Sequence, residues 1–407
     1  MIKYLLKNKV FLLIIVLFFV LFPSNLSKTA QSQEEVIVVA VGVDKVDEEL
    51  DISLQYLIPT PESQFKQQLK VVTMKDKNFS VALDKHVMLL GKHLGFSHCK
   101  AIVFSDSLKD ENIINILDYI ARTKINTYDI SIINTPESAK DLLVANSNLD
   151  ENFTLGLKTQ NEFGDIRLYG SGLNLGKFYD EYLSGAKCSV AASIDLVKKS
   201  EVEGDVGSAG GSGEGASSSN QQSSDKIPVE KGNTIVLKEG KTVCKLSLEE
   251  TRGFTFFDQK SNVGVLAFEN VDDDVYKNAD VMVQILKMKN EYDLKFENGF
   301  PVCEMDLTLY VRVIEITQDK ISKNEVESQG TTISEELKNR IKQKVREYLQ
   351  TSIEISKEKD FDIIGVYDKF NKYKNKEFEE YLLGLKENAY YLDQIDFRFN
   401  INIKPVL

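Results

Sequence analysis

The three histidines of the chain lie close together, at His86, His93 and His98, with Cys99 beside the last. Imidazole and thiolate are common zinc ligands, so this cluster is the first place to look for metal chemistry. Its spacing argues against a site. If residues 79–94 form a helix, His86 and His93 stand two turns apart on one face, about 10 Å along the axis. One ion cannot span that gap without ligands from elsewhere. His98 falls in a turn before a strand. We expect solvated or capping histidines here, and no metal site.

The other chemical candidates are weaker. Gly240-Lys241-Thr242 has the ending of a phosphate-binding loop, but the earlier glycine it needs would stand at Ile235. The tripeptide also falls between two strands rather than before a helix. Asp272-Asp273-Asp274 lacks the alternating ligands and closing glutamate of a calcium loop, so a solvated acidic turn is expected. No Gly-x-Ser-x-Gly occurs, and paired carboxylates are too common at this charge content to signal hydrolysis. Tyr390-Tyr391 reads as packing at a helix end. Cys99, Cys188, Cys244 and Cys303 are far apart with no Cys-x-x-Cys, so they read as four buried small hydrophobes. One disulfide among them stays open. With no catalytic, cofactor-binding or metal-ligating group assembled, we expect a protein that is not an enzyme and uses no cofactor.

The chain that must position these residues begins with Val10–Phe22, thirteen residues without a polar side chain, after Lys3, Lys7 and Lys9. A charged start and a short apolar run form an export pattern. The lysines should stay in the cytoplasm and the chain after Pro23 should cross to the outside. No small-x-small site is well formed after the run, and no cysteine follows it. We therefore prefer an uncleaved anchor, residues 1–33, with a removed signal as the alternative. About 375 residues remain, room for two or three domains. At 42% apolar and 28% charged the bulk is globular. A net charge of −12 gives no electrostatic reason to bind nucleic acid.

Periodicity divides the remainder. Val36–Val43 is a buried strand, and an alternating strand to Ile58 makes a hairpin with it. Further strands are expected at Val71–Met74, Ala101–Phe104 and Ile130–Ile133. Helices are expected at Phe79–Leu94, Asn112–Ile120 and Pro136–Val144. This is a first α/β domain, 34–150. A second, 151–260, opens with a glycine-interrupted stretch, 152–185. It continues with a strand Ser189–Val197, a hairpin Asn233–Leu237 and Thr242–Leu246, and a capping box at Ser247-x-x-Glu250. The Gly/Ser-rich stretch 201–225 lacks large apolar side chains and reads as a coil inserted within this domain. The third domain, 261–407, has strands at Val263–Phe268, Ala279–Met288, Tyr292–Phe296 and Met305–Ile316. A long helix follows with a stripe of Ile333, Leu337, Ile341, Val345, Leu349 and Ile353. Helices at Asp362–Tyr373 and Glu377–Leu385 and a half-wet strand Ile395–Ile403 close it. The fold class is α+β: three consecutive mixed α/β domains after an N-terminal membrane segment.

These features together resemble one family, Ger(x)C, the C subunits of Ger-type spore germinant receptors. The matching stretches are Val36–Lys45, with Gly42 and Asp44 in a Gly-x-Asp position; Phe96–Phe104; Arg122 at the end of the following helix; Lys238–Gly253; and Asp362–Gly365 with the closing strand. The resemblance implies a sporulating bacterium and a place on the outer face of the spore inner membrane, with the N-terminus cytoplasmic. It implies a complex with an integral A subunit and a polytopic B subunit, triggered by small nutrients, and no enzymatic role. It does not say whether this subunit touches the germinant. One departure is the missing acylated cysteine after the leader, for which Val10–Phe22 would substitute. A membrane-anchored extracytoplasmic solute-binding protein is the alternative from another class, and an envelope hydrolase the third.

Overall fold

The computed structural model describes residues 35–59, 67–122, 128–147, 157–158, 172–198, 226–257, 264–317, 333–387 and 389–406. Val10–Phe22 and the stretch 201–225 lie outside them, as does most of 152–171. Among the described residues are thirteen strands and eight helices, in two sheets. None of these helices is long and apolar enough to cross a membrane.

The first sheet is built on β1 (Glu35–Val46), whose residues Val38–Asp44 are all buried. It pairs antiparallel with β2 (Glu49–Pro59), which pairs with β3 (Gln67–Asp76). On its other side β1 runs parallel to β4 (His93–Gly95) and β5 (Ala101–Ser105), and β5 parallel to β6 (Ser131–Thr135). Parallel neighbours need crossovers, supplied here by α1 (Phe79–Leu90), α2 (Ile114–Arg122) and, beyond β6, α3 (Ala139–Ser147). The helix expected to reach Leu94 stops four residues sooner. Gly91 takes a left-handed φ of 61° and its N–H bonds back to Val87 O, which closes the last turn. His93 and Leu94 therefore lie on a strand.

The Gly-x-Asp pair is a docking device for α3. A Cβ on Gly42 would stand 3.0 Å from Leu143 Cδ1 and 3.2 Å from Ala139 Cβ, so only glycine lets α3 lie this close. The buried Asp44 carboxylate accepts the Ala139 N–H (2.8 Å), the Lys140 N–H (3.1 Å) and the Ser138 hydroxyl (3.1 Å). It thereby satisfies N–H groups that a helix start leaves without partners.

After α4 (Leu175–Leu183), β7 (Cys188–Lys198) joins β6 through one pair, Asn134 with Ser193. Asn134 Nδ2 donates to Ser193 Oγ at that point (3.2 Å). β8 (Lys226–Lys238) and β9 (Lys241–Leu246) complete the order β3-β2-β1-β5-β6-β7-β8-β9. The boundary expected at 150/151 falls where this sheet narrows, but the strands on both sides share it. Lys198 faces Lys226 in the ladder, so residues 199–225 connect two paired strand ends.

The second sheet has the order β10 (Gly264–Val271), β11 (Ala279–Glu297), β12 (Phe300–Thr317), β13 (Asp396–Pro405). Two expected strands, 279–288 and 292–296, are one strand of 19 residues. A bulge at Leu286, between Ile285 and Lys287, is the reason. Ala279, Val281, Val283 and Ile285 are buried before it; Met288, Asn290 and Leu294 after it. An extra residue reverses which parity points inward, so the sequence pattern reads as broken while the backbone continues. The helix α6 (Glu335–Glu358) covers this sheet, and all six residues of its expected stripe are buried. Its N-cap, Ser334, donates to Asp273. Asp273 also accepts from the N–H groups of Val275 (2.7 Å) and Tyr276 (2.8 Å). The middle residue of the expected solvated acidic turn is thus a clamp on α6, and only Asp272 and Asp274 are exposed. α7 (Val366–Tyr373) and α8 (Asn375–Gly384) follow, and Asp362 lies outside the helix expected to begin with it.

One short helix, α5 (Leu248–Thr255), lies between the two sheets. Its N-terminus carries the expected capping box, Ser247 with Glu250. Its flank crosses α6 at Gly253, where a Cβ would meet Ser352 Oγ at 2.3 Å and Tyr348 O at 2.4 Å. The Phe256 ring stacks on Tyr348 with centroids 6.1 Å apart. Since one obstacle is backbone, Gly253→Ala must push the helices apart. We expect a loss of about 1–3 kcal/mol, the usual range for overpacking, read as a lower urea midpoint. A midpoint equal to that of the unchanged protein would contradict this crossing.

Candidate functional site

The polar groups that converge most densely lie at the joint between the sheets. α5 leaves its last carbonyls without helical partners, as every helix does. The second sheet supplies them: Asn290 Nδ2 donates to Phe256 O (3.1 Å) and the Tyr292 hydroxyl to Phe257 O (2.7 Å). Both side chains follow the bulge in β11, so the parity change aims them at α5.

The centre of the joint is Asp362, buried to 3% exposure after α6. Its carboxylate accepts the N–H groups of Ile364 (3.1 Å), Val366 (3.2 Å) and Tyr367 (2.8 Å), and the Tyr391 hydroxyl (2.7 Å). Gly365, at φ 68°, turns the chain so that these amides face one carboxylate. Burial first, and then the Asp362 charge, push the Tyr391 hydroxyl far up, so it stays a donor. Tyr381 holds Tyr391 from behind, donating to its carbonyl at 2.6 Å. Beside Asp362, Phe361 is fully buried among Ala186, Cys188, Val190, Val236, Leu246 and Phe254, side chains of the first sheet and α5. Lys238 of β8 donates to Asp360 O and lies 5.4 Å from the Tyr390 ring centre.

A cavity of about 260 Å³ opens at this joint. Lys177 and Glu181 of α4, Cys188 of β7, and Asp362, Asp368 and Lys369 give its wall both signs of charge. Lys369 is engaged in structure, donating to Ile364 O (2.7 Å) and Gly365 O (3.3 Å) and lying over the Tyr292 ring. Burial, with the Asp362 and Glu181 charges behind it, pushes the Cys188 thiol well up. It is a poor source of thiolate and hence of a nucleophile. The cavity suits water or a small polar molecule.

The residues singled out from sequence are dispersed. His86 is fully buried, contrary to the expected solvated or capping role, because α1 lays it against β2. Its Nε2 faces Ile52 O at 3.0 Å and so carries the proton. Burial lowers its pKa. His93 and His98 are exposed. Among the described residues no group of three or more His, Cys, Asp or Glu is placed to hold a metal ion. The four cysteines are free; Cys99, Cys188 and Cys303 are buried as expected, and Cys244 on β9 is half-buried. Burial pushes the Cys99 and Cys303 thiols up to about 12. Gly240-Lys241-Thr242 spans a hairpin turn with Glu239 and Gly240 at φ 51° and 79°. Tyr390 and Tyr391 pack together, ring centres 4.6 Å apart. Arg122 makes a surface pair with Asp118 (2.6 Å). Sequence reasoning missed Asp362; its signal was an aspartate three residues before a glycine, at a helix start with no side-chain cap of its own.

The fold is α+β, two sheets with helices packed on them that meet where Phe361 enters the apolar cluster of the first sheet. The chain belongs to the Ger(x)C family of spore germination proteins. The model described as the spore germination protein N-terminal domain matches residues 30–196, and the one described as spore germination B3/GerAC like, C-terminal, matches 232–404. The gap between them contains the Gly/Ser-rich stretch. The crystal structure of the GerBC protein is similar over 89% of this chain and 96% of that one, at 14% identity and a TM-score of 0.49. No curated protein matches the chain.

Two substitutions test this geometry. Asp362→Asn keeps the shape but turns an NH2 group toward donors, and should cost about 2–3 kcal/mol in urea unfolding; an unchanged midpoint would contradict the joint. For His86, the buried ring binds its proton less readily than the unfolded chain does. Stability is therefore intact above the ordinary value near 6.5 and falls as pH drops below it. The slope from this one group is at most about 1.4 kcal/mol per pH unit. Between pH 7.5 and 5.5, His86→Gln should lose less stability than the unchanged protein; equal losses would overturn the assignment.

Proposed function

We propose that this protein is the C subunit of a nutrient germinant receptor, assembled with A and B subunits at the spore inner membrane. It acts without catalysis, as a rigid extracytoplasmic piece tethered by Val10–Phe22, with its N-terminus cytoplasmic. The observation that carries the reading is the pair of family matches, which together run from residue 30 to 404 with only 197–231 between them. The joint supports it physically. A subunit that passes a signal by contact needs its surfaces held in register, and Asp362, Gly253 and the Asn290–Tyr292 pair do that. The cavity wall favours a structural role over an enzymatic one, since its thiol is held protonated and Lys369 is bonded to backbone.

The second reading, a membrane-anchored solute-binding protein, has the cavity at the joint in its favour. Such proteins close two lobes around a ligand. Here Phe361, next to the cavity, is fully buried in the apolar cluster of the first sheet, which fits poorly with lobes that open.

The test is affinity capture of the tagged full-length protein from purified spore inner membranes, with mass spectrometry of its partners and of its own N-terminus. Recovery with A- and B-type receptor subunits and an intact Val10–Phe22 is expected. Recovery alone from a soluble fraction, with the leader removed, would return the problem to a secreted binding protein.

A further inference from the structure

The tip of α1 carries exposed apolar side chains beside the point where the N-terminal run attaches. Its last turn leaves Met88 82% and Leu89 59% exposed. Gly91 then turns the chain, and β4 pairs His93 with Glu35, the first described residue of β1. The end of α1 is thus only a short turn from the start of β1. The apolar run ends at Phe22, thirteen residues before Glu35, and a chain of that length reaches at most ~45 Å. Whatever surface holds the run is held near this end of the molecule.

Charge points the same way. From Lys85 to Ser105 there is no Asp or Glu, although the chain contains 62 of them. The stretch holds Lys92, Lys100, His93 and His98, besides the buried His86 and Lys85, which is paired with Asp76 (2.8 Å). Lys92 and His93 are exposed directly after Met88 and Leu89. Glu35, through its pairing with His93, and Asp84, one helical turn back, are the acidic residues at the rim. In an acidic protein this leaves a small apolar tip with a basic collar. That is the composition of a segment that enters the headgroup region of a bilayer, with apolar side chains at the acyl boundary and cations at the phosphates.

We propose that this tip is a second membrane contact, in which Met88 and Leu89 enter the bilayer that holds Val10–Phe22 and Lys92 and His93 meet lipid phosphates. The contact sets the angle at which the first sheet stands over the membrane. It rests on the anchored reading given above.

The chain contains no tryptophan, so Met88→Trp and Leu89→Trp each place the sole tryptophan emission at the tip. Both positions are exposed, and neither change disturbs the core. Leu383→Trp, 88% exposed on α8, is the control. Each full-length variant is reconstituted in phosphatidylglycerol–phosphatidylethanolamine vesicles, with and without brominated acyl chains, and floated on a density gradient. The expected result is flotation of all three, with loss of most of the emission at positions 88 and 89 on brominated lipid and none at 383. Flotation without quenching at 88 and 89 overturns the tip contact and leaves the anchor standing. Equal quenching at all three positions also overturns it, since the tip is then no nearer the lipid than α8. Failure to float overturns the anchored reading and this contact together.

Discussion

The structure turns on one buried carboxylate. Asp362 gathers three backbone amides and one tyrosine hydroxyl at a place where the chain has just left its longest helix. A charge removed from water is tolerated only when such donors replace the solvent it loses. Because the donors come from the start of α7 and from Tyr391, satisfying the charge fixes both. Fixing them seats Phe361 against the first sheet and brings Lys238 of β8 to Asp360 O. The donors all belong to the second sheet's own unit, so the carboxylate orders the segment whose neighbours, Phe361 and Asp360, make the contacts to the first sheet.

The other contacts of the joint share this logic of filling an unavoidable deficit. α5 ends with carbonyls that need donors, and Asn290 and Tyr292 meet them from the second sheet. α3 begins with amides that need an acceptor, and Asp44 meets them from β1. Gly42 and Gly253 set how near the helices come, since any side chain there would strike a neighbour. Gly42, Asp44, Gly253, Asp362 and Gly365 also lie in the stretches that carry the resemblance to the Ger(x)C family. In this chain, those five residues serve helix docking and the ordering of the joint.

The elements were largely legible because their periodicities are strong. Five of the six stripe residues lie on α6, with Ile333 buried just before its N-cap, and these and the apolar run of β1 were legible from spacing alone. The misreadings share a cause: a local event that spacing cannot register. The bulge at Leu286 split one strand into two, because parity reversed while pairing continued. Gly91 ended α1 while the apolar spacing ran on to Leu94. Asp273 looked like one member of an acidic turn, since nothing in the sequence places Ser334 beside it. Asp362 was read as the first residue of a helix for the same reason. Its donors lie two to five and twenty-nine residues away, and only the fold brings Tyr391 to it. The continuity of the first sheet across residue 150 rests on one strand pair at Asn134 and Ser193, which no local pattern announces.

Amide hydrogen exchange of the full-length protein under native conditions tests the locked joint most directly. If Asp362 ties the sheets together, the most protected amides of β1 and of β11–β12 should open with the same free energy, as one cooperative unit. If the second sheet opens at a clearly lower free energy while β1 stays protected, the two are independent, and the account of a single rigid piece is wrong.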